Sequence, residues 1–157
     1  MMGEKGIAVE TDESKFYKRK YNRGRGVDGV WVLGMVERTP ERRINLFCLK
    51  KWDRLALNTL ITKYVAKGSI IHTNKLKGYS GLTSLWYKHY TVNHSKNFKD
   101  LETGIHTNTI EESWRAIKRK ITLRKRNYTL VKPQLKIFMF QDCLVGEKLE
   151  LLELGTL

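Results

Sequence analysis

Four carboxylates in two adjacent pairs are the residues best suited to chemistry: Asp12 and Glu13 near the start of the chain, Glu111 and Glu112 a hundred residues later. Carboxylates gathered from distant segments suit divalent cations, because Mg²⁺ is a hard ion that keeps oxygen ligands. Two such cations can activate a nucleophile on one side of a phosphodiester and stabilise the leaving oxygen on the other. The acids stand in a strongly basic chain, with 30 Lys and Arg against 16 Asp and Glu and a formal charge of +14. That surplus favours a polyanionic partner, since each phosphate neutralised releases counterions and the field steers association.

The elements that must position these acids follow from the hydrophobic pattern. A strand over residues 6–13 places Ile7, Val9 and Thr11 on one side and Ala8 and Glu10 on the other, and delivers Asp12 and Glu13 at its end. A basic stretch with Lys15, Lys18, Arg19, Lys20, Arg23 and Arg25 then makes a hairpin through Asn22 to Gly26, with Phe16, Tyr17 and Tyr21 interleaved. Residues 27–37 are nearly continuously apolar, as expected of a central strand covered on both faces, and 44–49 form a third strand of an antiparallel meander. Asp53 caps a helix whose stripe is Leu57, Leu60, Ile61, Tyr64 and Val65, and Gly68 is placed to end it. Residues 69–74 are a fourth strand ending on Asn74, and 89–92 a fifth. A helix opens at Thr107-Asn108-Thr109, where Thr109 with Glu112 fits a capping box, and its apolar stripe is Ile110, Trp114, Ile117 and Ile121. A short terminal helix begins near Pro133, and residues 141–157 form an acidic, leucine-containing tail.

This order of three strands, helix, strand, short strand and helix is that of an α/β ribonuclease H-like fold with a mixed sheet, filling residues 6–140 as one domain. In such a fold an acid on the first strand, one after the fourth strand and one on a later helix converge. The corresponding positions here are Asp12, Asn74 and Glu111.

The stretches Val9 to Phe16, Lys18 to Arg25, Thr91 to Ser95 and His106 to Arg115, in this order, closely resemble the catalytic domain of DDE insertion-sequence transposases, the ISXO-like group that includes the Merlin elements. The resemblance runs from about Ile7 to Phe140 and implies metal-dependent DNA strand cleavage and transfer. It puts the first and third acids, both metal ligands, on Asp12 and Glu111, and the second catalytic position on Asn74. Asn74 departs from the family pattern: it is neutral and brings an amide donor, so a two-cation site loses one compensating charge. The expected function is therefore a transposase-derived DNA-binding domain, impaired in catalysis, using Mg²⁺ or Mn²⁺ if active. A domesticated non-catalytic DNA- or partner-binding protein is the alternative. The segment that recognises transposon ends in the family, expected ahead of this domain, has no counterpart in these residues, and the acidic tail departs from the family's basic ending.

DNA contacts are expected from Lys18, Arg19, Lys20, Arg23 and Arg25 and from the helix positions Arg115, Lys118 and Arg119. Arg115 and Lys118 lie four and seven residues after Glu111, on one helix face with it. Trp31 and Trp114 suit a core, and the four histidines lack ligand spacing, so hydrogen bonding suits them better. Two distant cysteines without a C-x-x-C pair argue for a reducing, intracellular setting: the nucleus if the source is eukaryotic, the cytoplasm if bacterial. No apolar run is long enough to span a bilayer, and a homodimer is compatible with these features.

Overall fold

The computed structural model describes residues 1–16, 29–50, 52–74, 77–92, 104–122, 126 and 128–142. Five strands form one mixed sheet: β1 (Ala8–Phe16), β2 (Val30–Glu37), β3 (Ile44–Leu49), β4 (Ile70–Asn74) and β5 (Lys88–Val92), in the order β3-β2-β1-β4-β5. The β1–β2 and β2–β3 pairs are antiparallel, whereas β1–β4 and β4–β5 are parallel. β1 is therefore central, and its C-terminal end lies beside the C-terminal end of β4.

Alternation along β1 divides the core into two layers. Val9 joins Leu33, Met35 and Ile71 beneath α1 (Arg54–Tyr64), whose buried residues are Leu57, Leu60, Ile61 and Tyr64. On the opposite face Phe16, Val32, Val36 and Leu46 pack against α2 (Asn108–Lys120) and α3 (Tyr128–Asp142). Asp53 caps α1 as expected, its carboxylate accepting the Ala56 N–H at 2.8 Å.

The differences from the sequence expectation have local causes. β1 runs on to Phe16, because Ser14 and Phe16 turn into the α2 layer and pair with Val32 and Val30. α1 stops at Tyr64 with Val65 extended, so Gly68, at φ +85°, serves the turn into β4 instead of ending the helix. α3 starts five residues before Pro133 and tolerates that proline inside it. The 18–25 basic stretch and residues 143–157 lie outside the described residues. Among the described residues no helix is long and apolar enough to cross a membrane.

Gly34 pairs with Asp12 across β1 and β2 and lies directly under α2. A Cβ there would meet Trp114 Cζ2 at 2.6 Å and Ile110 Cδ1 at 2.8 Å, so the helix sits as close to the sheet as a bare backbone permits. Gly34→Ala is expected to lift α2 and cost roughly 1–3 kcal/mol in urea unfolding. An unchanged midpoint would show that α2 has slack at this contact.

Candidate active site

Asp12 is the centre of a hydrogen-bonded chain at the C-terminal ends of β1 and β4. Thr11 pairs with Thr73, which sets Asn74 beside Asp12. The Asn74 amide donates from Nδ2 to Asp12 Oδ1 at 2.9 Å and to Glu13 Oε1 at 3.3 Å. Trp114, from α2, donates its indole N–H to Asp12 Oδ2 at 3.1 Å. The phenol of Tyr79, fully buried in the 3-10 turn Lys77–Tyr79, donates to Glu13 Oε2. Burial first, then the repulsion of Glu13 and Glu111, pushes the Asp12 carboxyl up to about 7. Burial and the Glu13 charge likewise raise Tyr79 well above the usual phenol range, so it remains a proton donor.

Glu111 enters from the first turn of α2 and accepts from Thr107 Oγ1 at 3.2 Å. The expected capping box at Thr109 does not form, because α2 already begins at Asn108 with Thr107 as its N-cap. The cap comes instead from 100 residues away, where Glu10, wholly buried, accepts the Ile110 N–H at 2.9 Å. A carboxylate at a helix N-terminus satisfies an orphan donor and complements the dipole. Glu10 pairs with Arg38 at 3.4 Å, and His106 Nδ1 lies 3.6 Å from the same oxygen. Arg38 also reaches His106 Nε2 at 2.7 Å and His72 Nδ1 at 3.5 Å. The sequence signal for this network was slight: Glu10 and Asp12, two residues apart on a strand, share the face that α2 covers. Tyr79 closes the Lys77-Gly78-Tyr79 stretch that follows Asn74, and Arg38 carried no signal.

The basic residues expected to meet DNA divide. Arg115 and Arg119 are exposed on α2. Lys118 is half-buried, its ammonium 5.5 Å from the Phe16 ring, and is close enough to the site for Asp12 to act on it. Burial and Arg126 lower its pKa, against the opposing pull of Asp12. Arg126 closes the end of α2, donating to the carbonyls of Ile121 at 3.1 Å and Lys118 at 2.8 Å. Lys18, Arg19, Lys20, Arg23 and Arg25 lie outside the described residues.

The residues present do not fit a two-cation site. A nitrogen of Asn74, not an oxygen, faces Asp12, and both Asp12 oxygens are taken by N–H donors. Asn74 Oδ1 is buried without a hydrogen-bond partner among the described residues. Among those residues no three acids, histidines or cysteines lie together as a metal-holding group. The Asn74 amide bridges Asp12 and Glu13 without supplying the charge that an ion would.

Solved structures with this fold include a chain of the simian T-cell lymphotropic virus intasome, in complex with the PP2A regulatory subunit B56 gamma. It has a TM-score of 0.60 and 12% identity, over 94% of this chain and 51% of that one. The catalytic core domain of BIV integrase matches with a TM-score of 0.54 and 10% identity, over 89% of this chain and 86% of that one. The chain thus spans about half the length of the intasome protein, and the fold is ribonuclease H-like. No curated protein matches the sequence. The ISXO2-like transposase domain family matches residues 4–125, most of the chain and all of β1 to α2. With Asp12, Asn74 and Glu111 all inside that match, the chain belongs to the ISXO2-like transposase domain family.

Proposed function

We propose that this domain binds DNA and has lost most of the strand-cleavage chemistry of its family, with Asp12, Asn74 and Glu111 occupying the three catalytic positions. The observation that carries the reading is the Asn74 amide bridging Asp12 and Glu13 where a third carboxylate would share a cation. The formal charge of +14 and the exposed Arg115 and Arg119 beside Glu111 support a phosphate backbone as the partner. Lys118 extends that basic face toward Asp12.

A plasmid-nicking assay in Mg²⁺ and Mn²⁺ tests it, comparing the natural chain with Asn74→Asp and Asp12→Ala. Nicking is expected from Asn74→Asp alone, while duplex affinity survives in all three. Nicking by the natural chain that Asp12→Ala abolishes would instead make Asn74 a working member of the site. An Asn74→Asp variant that neither nicks nor gains Mg²⁺ affinity would remove Asn74 from the catalytic set. A natural chain without affinity for duplex would overturn the DNA-binding half of the reading.

A further inference from the structure

Two indoles stack at the same end of the sheet as the acids, on the opposite face from Asp12. Trp31, on β2, and Trp52, in the connection from β3 to α1, have ring centroids 5.4 Å apart and planes within 15°. Trp31 is half-buried against the α1 core, and Trp52 covers it from outside while remaining 38% exposed. Among the described residues the other stacked aromatic pair, Phe47 and Tyr64, has both rings buried. The Trp pair therefore differs in ending on an aromatic ring that solvent can reach.

Its surroundings are cationic. The Lys15 ammonium lies 5.6 Å from the Trp31 ring centroid, and Lys15 is the direct β1 partner of Trp31. Lys50, exposed, lies two residues before Trp52 in sequence, while the Arg54 guanidinium lies against Gly81. Of the acids near it, Asp53 caps α1, and Glu13, two residues before Lys15 on the same face of β1, accepts from Asn74 and Tyr79. Lys15 lies three residues beyond Asp12 along β1, which is about 10 Å of extended chain. Positive charge around an open π face suits a ligand with planar rings and phosphates. Bases within a duplex have both faces covered by their neighbours, so an indole plane can receive only an unpaired base.

We propose that Trp52, backed by Trp31 with the Lys15 ammonium against that second ring, is a stacking platform for unpaired bases of a DNA strand. The inference rests on the DNA-binding reading and adds to it a site for single strands, set apart from the duplex contacts of α2. Stacking holds the base plane while the cations hold the backbone, with no dependence on sequence.

The test is fluorescence anisotropy of the full chain with a labelled oligothymidylate and with a duplex of the same length, at low salt. Trp52→Ala is expected to weaken oligothymidylate binding about tenfold while changing duplex affinity less than about twofold. Trp52→Phe, which keeps a ring, should retain the affinity but lose most of the quenching of intrinsic tryptophan fluorescence by bound bases. Equal melting temperatures of the variants establish that folding is intact. Trp52→Ala binding oligothymidylate as tightly as the natural chain, or losing both ligands equally, would overturn the platform while leaving DNA binding standing. A natural chain that binds neither ligand would sink the DNA-binding reading together with the platform.

Discussion

Arg38→Ala is expected to cost about 3 kcal/mol of folding stability, a fall of roughly 10 °C in melting temperature for a domain of this size. The cause is what the substitution leaves behind. Glu10 has no solvent-accessible side-chain surface, and its Oε1 lies 3.4 Å from the Arg38 guanidinium. Removing the cation strands a carboxylate in the interior, which costs more than the pair contributes as a pair. The Arg38 side chain is 31% exposed, which places the effect at the lower end of the range for buried pairs. Glu10 also holds the N-terminus of α2 through Ile110, so the loss extends to the helix that carries Glu111. Calorimetry of the purified variant checks it, and a melting temperature within about 2 °C of the natural chain would mean that Glu10 does not depend on the Arg38 cation.

The second large effect is a dependence of stability on pH centred on Asp12. Its carboxyl is raised from 3.8 to about 7, so between those values the folded chain holds a proton that the unfolded chain has released. Stability from this group is full below about pH 4 and is lost as pH rises through about 7. A shift of that size corresponds to a loss on the order of 3–4 kcal/mol. Urea unfolding from pH 4 to pH 8 in the presence of a chelator should show it as a difference between the natural chain and Asp12→Asn. The variant loses an acceptor for Asn74 or Trp114, but that cost is constant with pH, so the difference between the two curves isolates the titration. Parallel curves would place the Asp12 carboxyl in an environment far wetter than its burial indicates.

The elements were legible where the signal is local. β3 occupies the six residues its apolar run marks, and Asp53 caps α1 because its partner, Ala56, is three residues away. The two faces of the core follow from strand alternation and helical stripes, whereas the order β3-β2-β1-β4-β5 depends on pairings between distant segments that no local pattern carries. What escaped has its cause elsewhere in the chain. The start of α2 lies within Thr107 to Thr109, where the sequence marks it, but its cap comes from Glu10, and local letters at Thr109 and Glu112 imitate a cap that the helix does not use. Asn74 was recognisable as a missing acid, yet its role as a bridge depends on Glu13, which only the parallel pairing of β1 and β4 brings within reach. Trp114 suits a core and is indeed buried, but its indole N–H also occupies an oxygen of Asp12. Hydropathy cannot report that second role.

The contacts of β1 with α2 have a consequence for the chain while it is being made. Glu10 meets Ile110 across 100 residues, and Asp12 meets Trp114 across 102. A nascent polypeptide leaves the ribosome N-terminus first, at about 5–20 residues per second, so β1 to β3 emerge seconds before α2 exists. Through that interval Glu10 and Asp12 remain in water, and the meander must hold together with one face uncovered. Closure of α2 over that face is the event that turns ordinary hydrated acids into a site.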